Sequence, residues 1–235
     1  MTSRRVVAVA CAALFAIGGC TDDDDAVSGS TSSADVTAAV LDVRAAGCGP
    51  LEQLGVASLV GDRHAVTAAH VVAGAHSVEV IDAGGERHRV DVVLFDPELD
   101  VALIRTPSGI GDPLGFYDGD IDAGVLGQIA LTRRDDDTVA VESTSGEILR
   151  HVNIDTTDIY RDRDVTRPGF EIEAAVDPGD SGAVVTIGGG AAGVIWARST
   201  EEANRAWAVD IPDAVRDSTS RRALDEPVDV GRCID

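Results

Sequence analysis

The sequence predicts an all-β fold, either a sandwich or a barrel, with two short helices. Apolar residues occur in short runs, most of them 4–8 residues long and many of them alternating with polar residues. Clusters of Gly, Asp and Pro separate these runs, and few segments repeat with a helical period. Short strands at regular spacing, with turns between them, are typical of all-β sandwiches and barrels.

The predicted strands follow one another along most of the chain. They are Thr37–Val43, Val56–Val60, Ala65–Thr67, Val78–Ile81, Val90–Phe95, Val101–Arg105, Gln128–Thr132, Val139–Ile148, Phe170–Ala174, Ala183–Ile187, Ala192–Trp196 and Ala206–Ile211. The helices are predicted at Ala69–Gly74 and at Pro212–Arg222, the second with Pro at its start. No repeat with a period of about 20–50 residues is present, which argues against a solenoid or a propeller.

Length and composition are those of a globular protein. The 235 residues suffice for one domain or two small ones, and 44% hydrophobic with 26% charged residues excludes collagen-like, coiled-coil and wholly disordered chains. The 19 basic residues, all Arg, face 41 acidic ones, for a net charge of −22. We expect no nucleic-acid partner, because phosphate binding needs clustered Lys or Arg. The acidity reflects solubility or coding bias, or an adaptation to high salt.

The segment Met1–Cys20 has the features of an export signal. Arg4 and Arg5 precede an apolar run, Val6–Ile17, that is shorter than the roughly 20 residues a membrane-spanning helix needs. No other segment is long and apolar enough to span a membrane. The motif Ile-Gly-Gly-Cys that ends at Cys20 resembles a bacterial lipobox, which implies a lipidated cysteine; the alternative is an ordinary cleavage site. Both the general secretory and the twin-arginine route remain open.

The next segment, Thr21–Asp35, has few apolar side chains, and we expect a disordered tether. Of the four cysteines, Cys11 lies in the signal and Cys20 is the lipidation candidate. This leaves Cys48 and Cys233, which we predict to form a disulfide in an exported domain. We expect this pair to lie away from the active site, unless the chain ends pack under the cleft. The alternative is a pair of buried free thiols. No Cys/His spacing resembles a zinc site, and we expect no metal and no cofactor.

Three segments carry residues suited to nucleophilic catalysis. They are Val-Thr-Ala-Ala-His ending at His70, Asp-Val-Ala-Leu-Ile beginning at Asp100, and Gly-Asp-Ser-Gly-Ala around Ser181. Taken alone, they have ordinary interpretations: a packed histidine, a turn or cap and a tight turn. Together they supply a weak hydroxyl nucleophile, a base that titrates near neutrality and a carboxylate to orient that base. The order His, Asp, Ser is that of the chymotrypsin triad.

These motifs resemble those of the trypsin/chymotrypsin-like serine peptidases, most closely the bacterial exported branch of HtrA/Deg-like and MarP-like enzymes. The resemblance covers about Val36–Cys233 and includes Val-Val-Ala-Gly-Ala after His70 and Phe-Asp-Pro-Glu-Leu before Asp100. It implies a peptidase domain over residues 36–235 with two packed six-stranded antiparallel barrels. The boundary between the barrels is expected near Leu114–Gly127, with the triad in the cleft between them.

The resemblance also implies roles for single residues. His70 corresponds to the general base, Ser181 to the nucleophile, and Asp100 to the orienting carboxylate, because Asp100 directly precedes the apolar strand. Asp96 is better interpreted as a turn residue. The backbone N–H groups of Gly179 and Ser181 correspond to the oxyanion hole, and the side chain of Asp180 is expected to be structural. Ala183-Val184 replaces the usual Gly-Pro, a change that removes no donor.

The expected specificity pocket has its floor at Ala175 and a wall formed by Val194, Ile195, Trp196 and Ala197. An uncharged floor does not favour cleavage after Lys or Arg, so we expect a small or medium apolar side chain. Arg198, just past the wall, is either an exposed loop residue or a group that favours acidic side chains. Only 54 residues follow Ser181, which is too few for the last strands and a PDZ domain.

The leading hypothesis is therefore an exported serine endopeptidase that acts on proteins or peptides through an acyl-enzyme. It is either anchored to the membrane only by a lipid on Cys20, on the extracytoplasmic face, or secreted. One alternative is a catalytically silent binding module with this fold. Another is an acidic surface lipoprotein in which the motifs are incidental. The natural substrate and the oligomeric state do not follow from the sequence.

Overall fold

The structure, a computed structural model, describes residues 36–135, 138–218 and 226–234. Its first six strands form a closed antiparallel barrel with the order β1-β2-β3-β6-β5-β4, and pairing of β1 with β4 closes it. These strands are β1 Val40–Ala46, β2 Gln53–Gly61, β3 His64–Thr67, β4 Ser77–Ile81, β5 Arg87–Asp96 and β6 Val101–Arg105. One short helix, α1, spans Ala69–Val72 between β3 and β4.

The next six strands form a second closed barrel with the order β10-β11-β12-β9-β8-β7, closed by pairing of β10 with β7. These strands are β7 Leu126–Asp135, β8 Thr138–Thr157, β9 Asp164–Glu173, β10 Val184–Ile187, β11 Gly190–Arg198 and β12 Arg205–Asp210. Helix α2, Asp213–Ser218, follows β12. Residues 106–125 connect the barrels and overlap the predicted boundary at Leu114–Gly127.

Alternation along the strands places apolar side chains inside the barrels. In β4, for example, Val78 and Val80 are buried, and Glu79 between them is more exposed. The barrels also pack against each other, because their apolar clusters are shared. Val40 and Val56 of the first barrel pack into the cluster centred on the second, and Val194 of the second barrel packs into the cluster centred on the first. The contact between the barrels is therefore part of the hydrophobic core.

The predicted all-β class and the two six-stranded barrels are confirmed. The first helix, predicted at Ala69–Gly74, ends earlier, at Val72. The second was predicted at Pro212–Arg222, and α2 occupies the middle of that range, before residues 219–225, which are outside the described part. Strand β8 is twice as long as the predicted Val139–Ile148, with 20 residues. The second half of β8, after Ile148, was not predicted because its side chains are mostly polar and do not form an apolar run.

The predicted signal at residues 1–20, with Cys20, and the predicted tether at residues 21–35 lie outside the described residues. Among the residues that are described, no helix has both the length and the apolar character needed to cross a membrane.

Candidate active site

His70 lies in α1, directly after the end of strand β3. Ala68 is extended, with φ −76° and ψ 140°, and the helix begins at the next residue. Its neighbours Ala69, Val71 and Val72 are buried and anchor the helix in the barrel. The side chain of His70 is 28% exposed, so the imidazole is carried by a buried helix but remains partly accessible.

Asp100 lies behind His70, at the end of the turn between β5 and β6. Its carboxylate is almost fully buried and accepts hydrogen bonds from the backbone N–H of His70 at 2.9 Å and from the imidazole Nδ1 at 2.9 and 3.1 Å. Asp100 adopts the left-handed conformation, with φ 60°. Asp96 instead accepts bonds from the backbone N–H groups of Glu98 and Leu99, as a turn residue does.

This environment raises the pKa of His70 above its usual value near 6.5. Burial acts in the opposite direction, because it disfavours the charged imidazolium, but the negative charge and the hydrogen bond of Asp100 outweigh it. The guanidinium of Arg167 also lowers the pKa of His70 through its charge. The pairing with Asp100 engages Nδ1, so Nε2 is the ring nitrogen that this carboxylate does not bind.

Ser181 lies in a tight loop between β9 and β10. The backbone N–H of Asp177 donates to the Asp180 carboxylate at 2.7 Å, and the N–H of Ala183 donates to the Asp180 carbonyl at 3.1 Å. Gly182 has φ 90°, and a Cβ there would lie 2.3 Å from the Thr67 hydroxyl. Glycine is thus required where the serine loop meets the strand that leads to His70.

The same loop contains the two backbone N–H groups, of Gly179 and Ser181, that the sequence assigns to an oxyanion site. Gly179 is left-handed, with φ 100°, which only glycine adopts readily. In the described part of the chain, the bonded N–H groups of this loop are those of Ala174, Asp177, Asp180, Gly182 and Ala183. The N–H groups of Gly179 and Ser181 are not among them, so they can donate to a substrate oxyanion.

Two adjacent arginines at the end of β7, which the sequence did not single out, hold this loop. Arg133 Nη1 donates to the Asp180 carboxylate at 2.7 Å. Arg134 forms an ion pair with the fully buried Asp42 of the first barrel and lies against Gly179, where a Cβ would be 3.2 Å from its Nη1. The contact partners are far apart in sequence, so no local pattern predicts them.

A cleft of about 170 Å³ lies beside Ser181. Its walls are Val176, Asp177, Pro178, Asp180, Ser181, Ile195, Trp196, Ala197 and Arg198. The expected wall residues Ile195, Trp196 and Ala197 thus line it, with Arg198.

Two of the expected pocket residues are placed differently. Ala175 is exposed and lines a separate groove, with Leu126 and Asn204 among its other walls, so the expected pocket floor is wrong. In this extended segment successive side chains face opposite sides, and the buried neighbour Val176 faces the cleft. Val194 is fully buried in the core instead of lining the cleft.

Cys48 and Cys233 are brought together, with their Cα atoms 5.4 Å apart and a disulfide between them. Their location differs from the expected one. A Cβ on Gly74, which follows α1 closely, would lie 2.4 Å from the backbone nitrogen of Cys233, and the Gly74 N–H donates to the Val230 carbonyl at 3.0 Å. The expectation that the pair lies away from the active site is therefore wrong, because it packs at the end of the helix that carries His70.

One group of possible metal ligands occurs among the described residues. Asp82, Glu86 and His88 lie on the hairpin between β4 and β5, with their ligand atoms within 4.8 Å of one another. The Asp82 carboxylate is already bonded to His88 Nε2 at 2.8 Å and to the backbone N–H groups of Gly84 and Glu86. This group does not line the cleft. The bonds of Asp82 stabilise the turn of the hairpin, which accounts for the group without a metal ion.

Several known proteins are similar to this chain. The chain is 28% identical over 186 residues to Serine protease Rv3671c of Mycobacterium tuberculosis strain H37Rv, and equally to Serine protease MT3772 of strain CDC 1551. These matches cover 77% of this chain and 45% of each relative, so the chain spans about half the length of the curated relatives it matches.

Solved structures of serine proteases are also similar to this chain. The active form of the Rv3671c protease from M. tuberculosis matches 95% of this chain and all of that chain, with a TM-score of 0.77 and 25% identity. The HtrA-type protease AlgW with a tripeptide matches 80% of this chain and 61% of that chain, with a TM-score of 0.64 and 23% identity, which supports the fold alone. The family model described as "Trypsin-like peptidase domain" matches residues 55–191, more than half of the chain. The chain belongs to the trypsin-like peptidase family.

Proposed function

We propose that this protein is an exported serine endopeptidase that hydrolyses peptide bonds through Ser181, His70 and Asp100. The observation that carries the proposal is the buried Asp100 carboxylate, which accepts hydrogen bonds from both the backbone N–H and the Nδ1 of a partly exposed histidine. A buried carboxylate in this position orients the imidazole and stabilises the imidazolium that forms during catalysis. Membership of a peptidase family and the arrangement of the serine loop support the same reaction.

In the proposed reaction, Ser181 Oγ attacks the carbonyl carbon of the scissile bond while His70 Nε2 accepts the hydroxyl proton. The negative charge that develops on the carbonyl oxygen is stabilised by the N–H groups of Gly179 and Ser181. His70 then gives its proton to the leaving amine, which departs and leaves an acyl-enzyme on Ser181. Water, deprotonated by His70, hydrolyses this ester and restores the enzyme.

The proposed substrate is an extended protein or peptide segment. The end of β11, Ile195–Arg198, lines the cleft, and a substrate strand would pair along Trp196–Arg198, on the side that β12 does not occupy. A cleft of about 170 Å³ fits a small or medium apolar side chain better than a long or bulky one. The residues that line the cleft include the exposed Asp177 and the exposed Arg198, so its walls contain side chains of both charges.

Hydrolysis of a labelled casein by the purified chain tests the proposed reaction. Ser181→Ala should lower the rate by several orders of magnitude, because loss of the nucleophile removes the acyl-enzyme route. Ser143→Ala, which changes an exposed serine in β8, is the matched control and should leave the rate unchanged. Equal rates for Ser181→Ala and the unchanged chain would refute the assignment.

We also propose that the protein is exported and held at the extracytoplasmic face of the membrane by a lipid on Cys20. The support is the signal-like segment, the lipobox-like motif, and a cysteine pair that is stable in oxidising compartments. The expressed protein should partition into a detergent phase, and Cys20→Ala should abolish this partitioning. Equal release of both forms into the medium would show that Cys20 is not an anchor, and the protein would then be secreted.

A further inference from the structure

Arg167, in the middle of β9, is among the largest fully buried side chains of the described residues, with 1% exposure. A buried cation is costly unless its donors and its charge are satisfied. Its Nε donates to the Glu98 carbonyl at 2.7 Å, and its Nη2 donates to the Thr157 carbonyl at 3.2 Å. Its Nη1 lies 3.9 Å from Asp100 Oδ2. Arg167 is thus built into the second barrel and directed at the turn that holds Asp100.

That turn needs support from outside itself. Asp100 has a positive φ of 60°, which costs energy in a residue other than glycine and persists only where neighbouring contacts enforce it. The Glu98 carbonyl, two residues earlier, receives the Arg167 Nε–H. The Pro97 carbonyl receives the N–H of Ile159, from the loop between β8 and β9. The second barrel therefore fixes the conformation of a turn that belongs to the first.

Arg167 also contacts the substrate-binding side of the cleft. Its guanidinium carbon lies 4.4 Å from the centroid of the Trp196 ring, in cation–π geometry. The pairing of β11 with β12 shifts register between Ile195 and Ala197, so Trp196 occupies a bulge. Bulges redirect side chains and are frequent beside active sites. Trp196 lines the cleft beside Ser181 and stacks on the same guanidinium that faces Asp100.

We propose that Arg167 is a positioning residue of the peptidase: one buried guanidinium fixes the Asp100 carboxylate behind His70 and the Trp196 ring beside the substrate cleft. The inference rests on the proposed function, because it assigns Asp100 and Trp196 to the catalytic and substrate-binding parts of one site. Arginine suits this role better than lysine. Its planar, permanently charged fork can donate to two carbonyls, face a carboxylate and stack on an aromatic ring at once.

The charges around the site give Arg167 a measurable effect on His70. Asp100, on the turn between β5 and β6, raises the pKa of His70, and Arg167, on β9, lowers it. Burial lowers the pKa of Arg167 itself, while the carboxylates of Asp100, Asp96 and Asp158 act in the opposite direction. Removal of the Arg167 charge therefore moves the pKa of His70 further up. The acid limb of the pH profile of kcat/KM should move to higher pH with it, since the base must be neutral.

The kinetic test uses the full chain, a labelled casein and the variants Arg167→Met and Arg167→Lys. Arg167→Met should lower kcat/KM on the order of 10- to 100-fold, because the Asp100 turn and the Trp196 ring lose their common support. The backbone N–H of His70 still holds the Asp100 carboxylate, so loss of the guanidinium charge should move the acid limb to higher pH. Arg167→Lys keeps the charge without the fork, so its acid limb should stay near that of the unchanged chain while kcat/KM remains reduced. Arg150→Gln is the control. Arg150 is exposed and pairs with Glu171, and Arg205 also pairs with Glu171, so this substitution should change neither kcat/KM nor the position of the acid limb.

A second measurement needs no activity, so it separates this inference from the proposed function. In Ser181→Ala protein, the imidazole of His70 is titrated by NMR with Arg167 present and with Arg167→Met, and its signal is assigned by loss in His70→Gln. The midpoint should be higher without the guanidinium. An unmoved midpoint in folded Arg167→Met protein would overturn the inference. If Arg167→Met does not fold, Arg167→Gln replaces it under the same criterion. If neither neutral variant folds, Arg167→Lys decides, because full kcat/KM in that variant would overturn it.

Discussion

The two barrels contribute to the candidate site in different ways. The first barrel supplies His70 and Asp100 from segments that its own strands hold, and the bonds between these two residues join neighbouring parts of one barrel. The second barrel supplies the loop of Ser181, which depends on the side chain of Arg133 from a different strand. The two parts of the site thus differ in their support: His70 and Asp100 are bonded to each other within one barrel, with Arg167 of the other barrel behind their turn, whereas the loop of Ser181 contacts the charged side chains of Arg133 and Arg134.

Arg133→Gln should disturb the second barrel's part of the site most strongly. The Asp180 carboxylate is buried, so loss of its cationic partner should release the loop that presents the Gly179 and Ser181 N–H groups. Loss of one oxyanion donor typically costs about 10²- to 10³-fold in kcat, so a kcat decrease on the order of 10²-fold is expected in hydrolysis of casein.

Glu142→Gln is the matched control for Arg133→Gln. Glu142 is the exposed partner of the same arginine, at 3.4 Å, and its loss leaves the pair with Asp180 intact. Its kcat should be unchanged. An Arg133→Gln protein that folds and keeps full kcat would show that the serine loop is held by its own backbone bonds, as the base is.

Removal of the cysteine pair should have a large effect on stability. Cys48→Ala/Cys233→Ala protein should lose about 2–5 kcal/mol in the free energy of unfolding, because the closed loop between the cysteines is long. Since the bond packs at the end of α1, activity should fall before the whole domain unfolds.

Urea unfolding followed by fluorescence, with activity measured in the same samples, checks the cysteine prediction. The reduced and oxidised forms of the unchanged chain serve as the control. Recovery of both cysteines as free, alkylatable thiols from exported protein would contradict the pairing. Coincident loss of activity and fluorescence would contradict the early loosening of α1.

The position of the acid limb in the unchanged chain gives a smaller effect, which is centred on the His70–Asp100 pair of the first barrel. Because Asp100 raises the pKa of His70, the half-maximal pH of kcat/KM on the acid side should lie above about 6.5, the usual pKa of histidine. Activity should fall as the pH decreases through this value, as the imidazole becomes charged. A limb at or below 6.5 would mean that the burial of His70 and the charge of Arg167 outweigh Asp100.

The sequence predicts the first barrel's part of the site better than the second's. The motifs that end at His70 and begin at Asp100 are local, and each consists of a polar residue at the edge of a buried apolar strand. Ser181 is similarly marked by its glycines. No local motif identifies Arg133, Arg134 and Arg167. The partners that they bind in other parts of the site, Asp180, Asp42 and Glu98, lie at least 47 positions away in the sequence.

The expected pocket floor shows a second limit of the sequence. The choice of Ala175 over Val176 failed because counting positions back from the serine does not show which side chains of an extended segment face the cleft. Val194 shows the same limit, since it packs in the core although the next four residues of the chain, Ile195–Arg198, line the cleft. Side-chain direction near the site therefore depends on tertiary packing that the motifs do not encode.

Intact-mass analysis after treatment with a fluorophosphonate asks whether Ser181 is an activated nucleophile. A serine activated by a neighbouring base reacts covalently with this probe, whereas an ordinary surface serine does not. The purified chain should gain the mass of one phosphonyl group, and peptide mapping should place it on Ser181. Ser181→Ala and His70→Ala should both fail to react. An unlabelled, folded chain, or a label that persists in Ser181→Ala, would contradict the proposed function and favour a catalytically silent binding module.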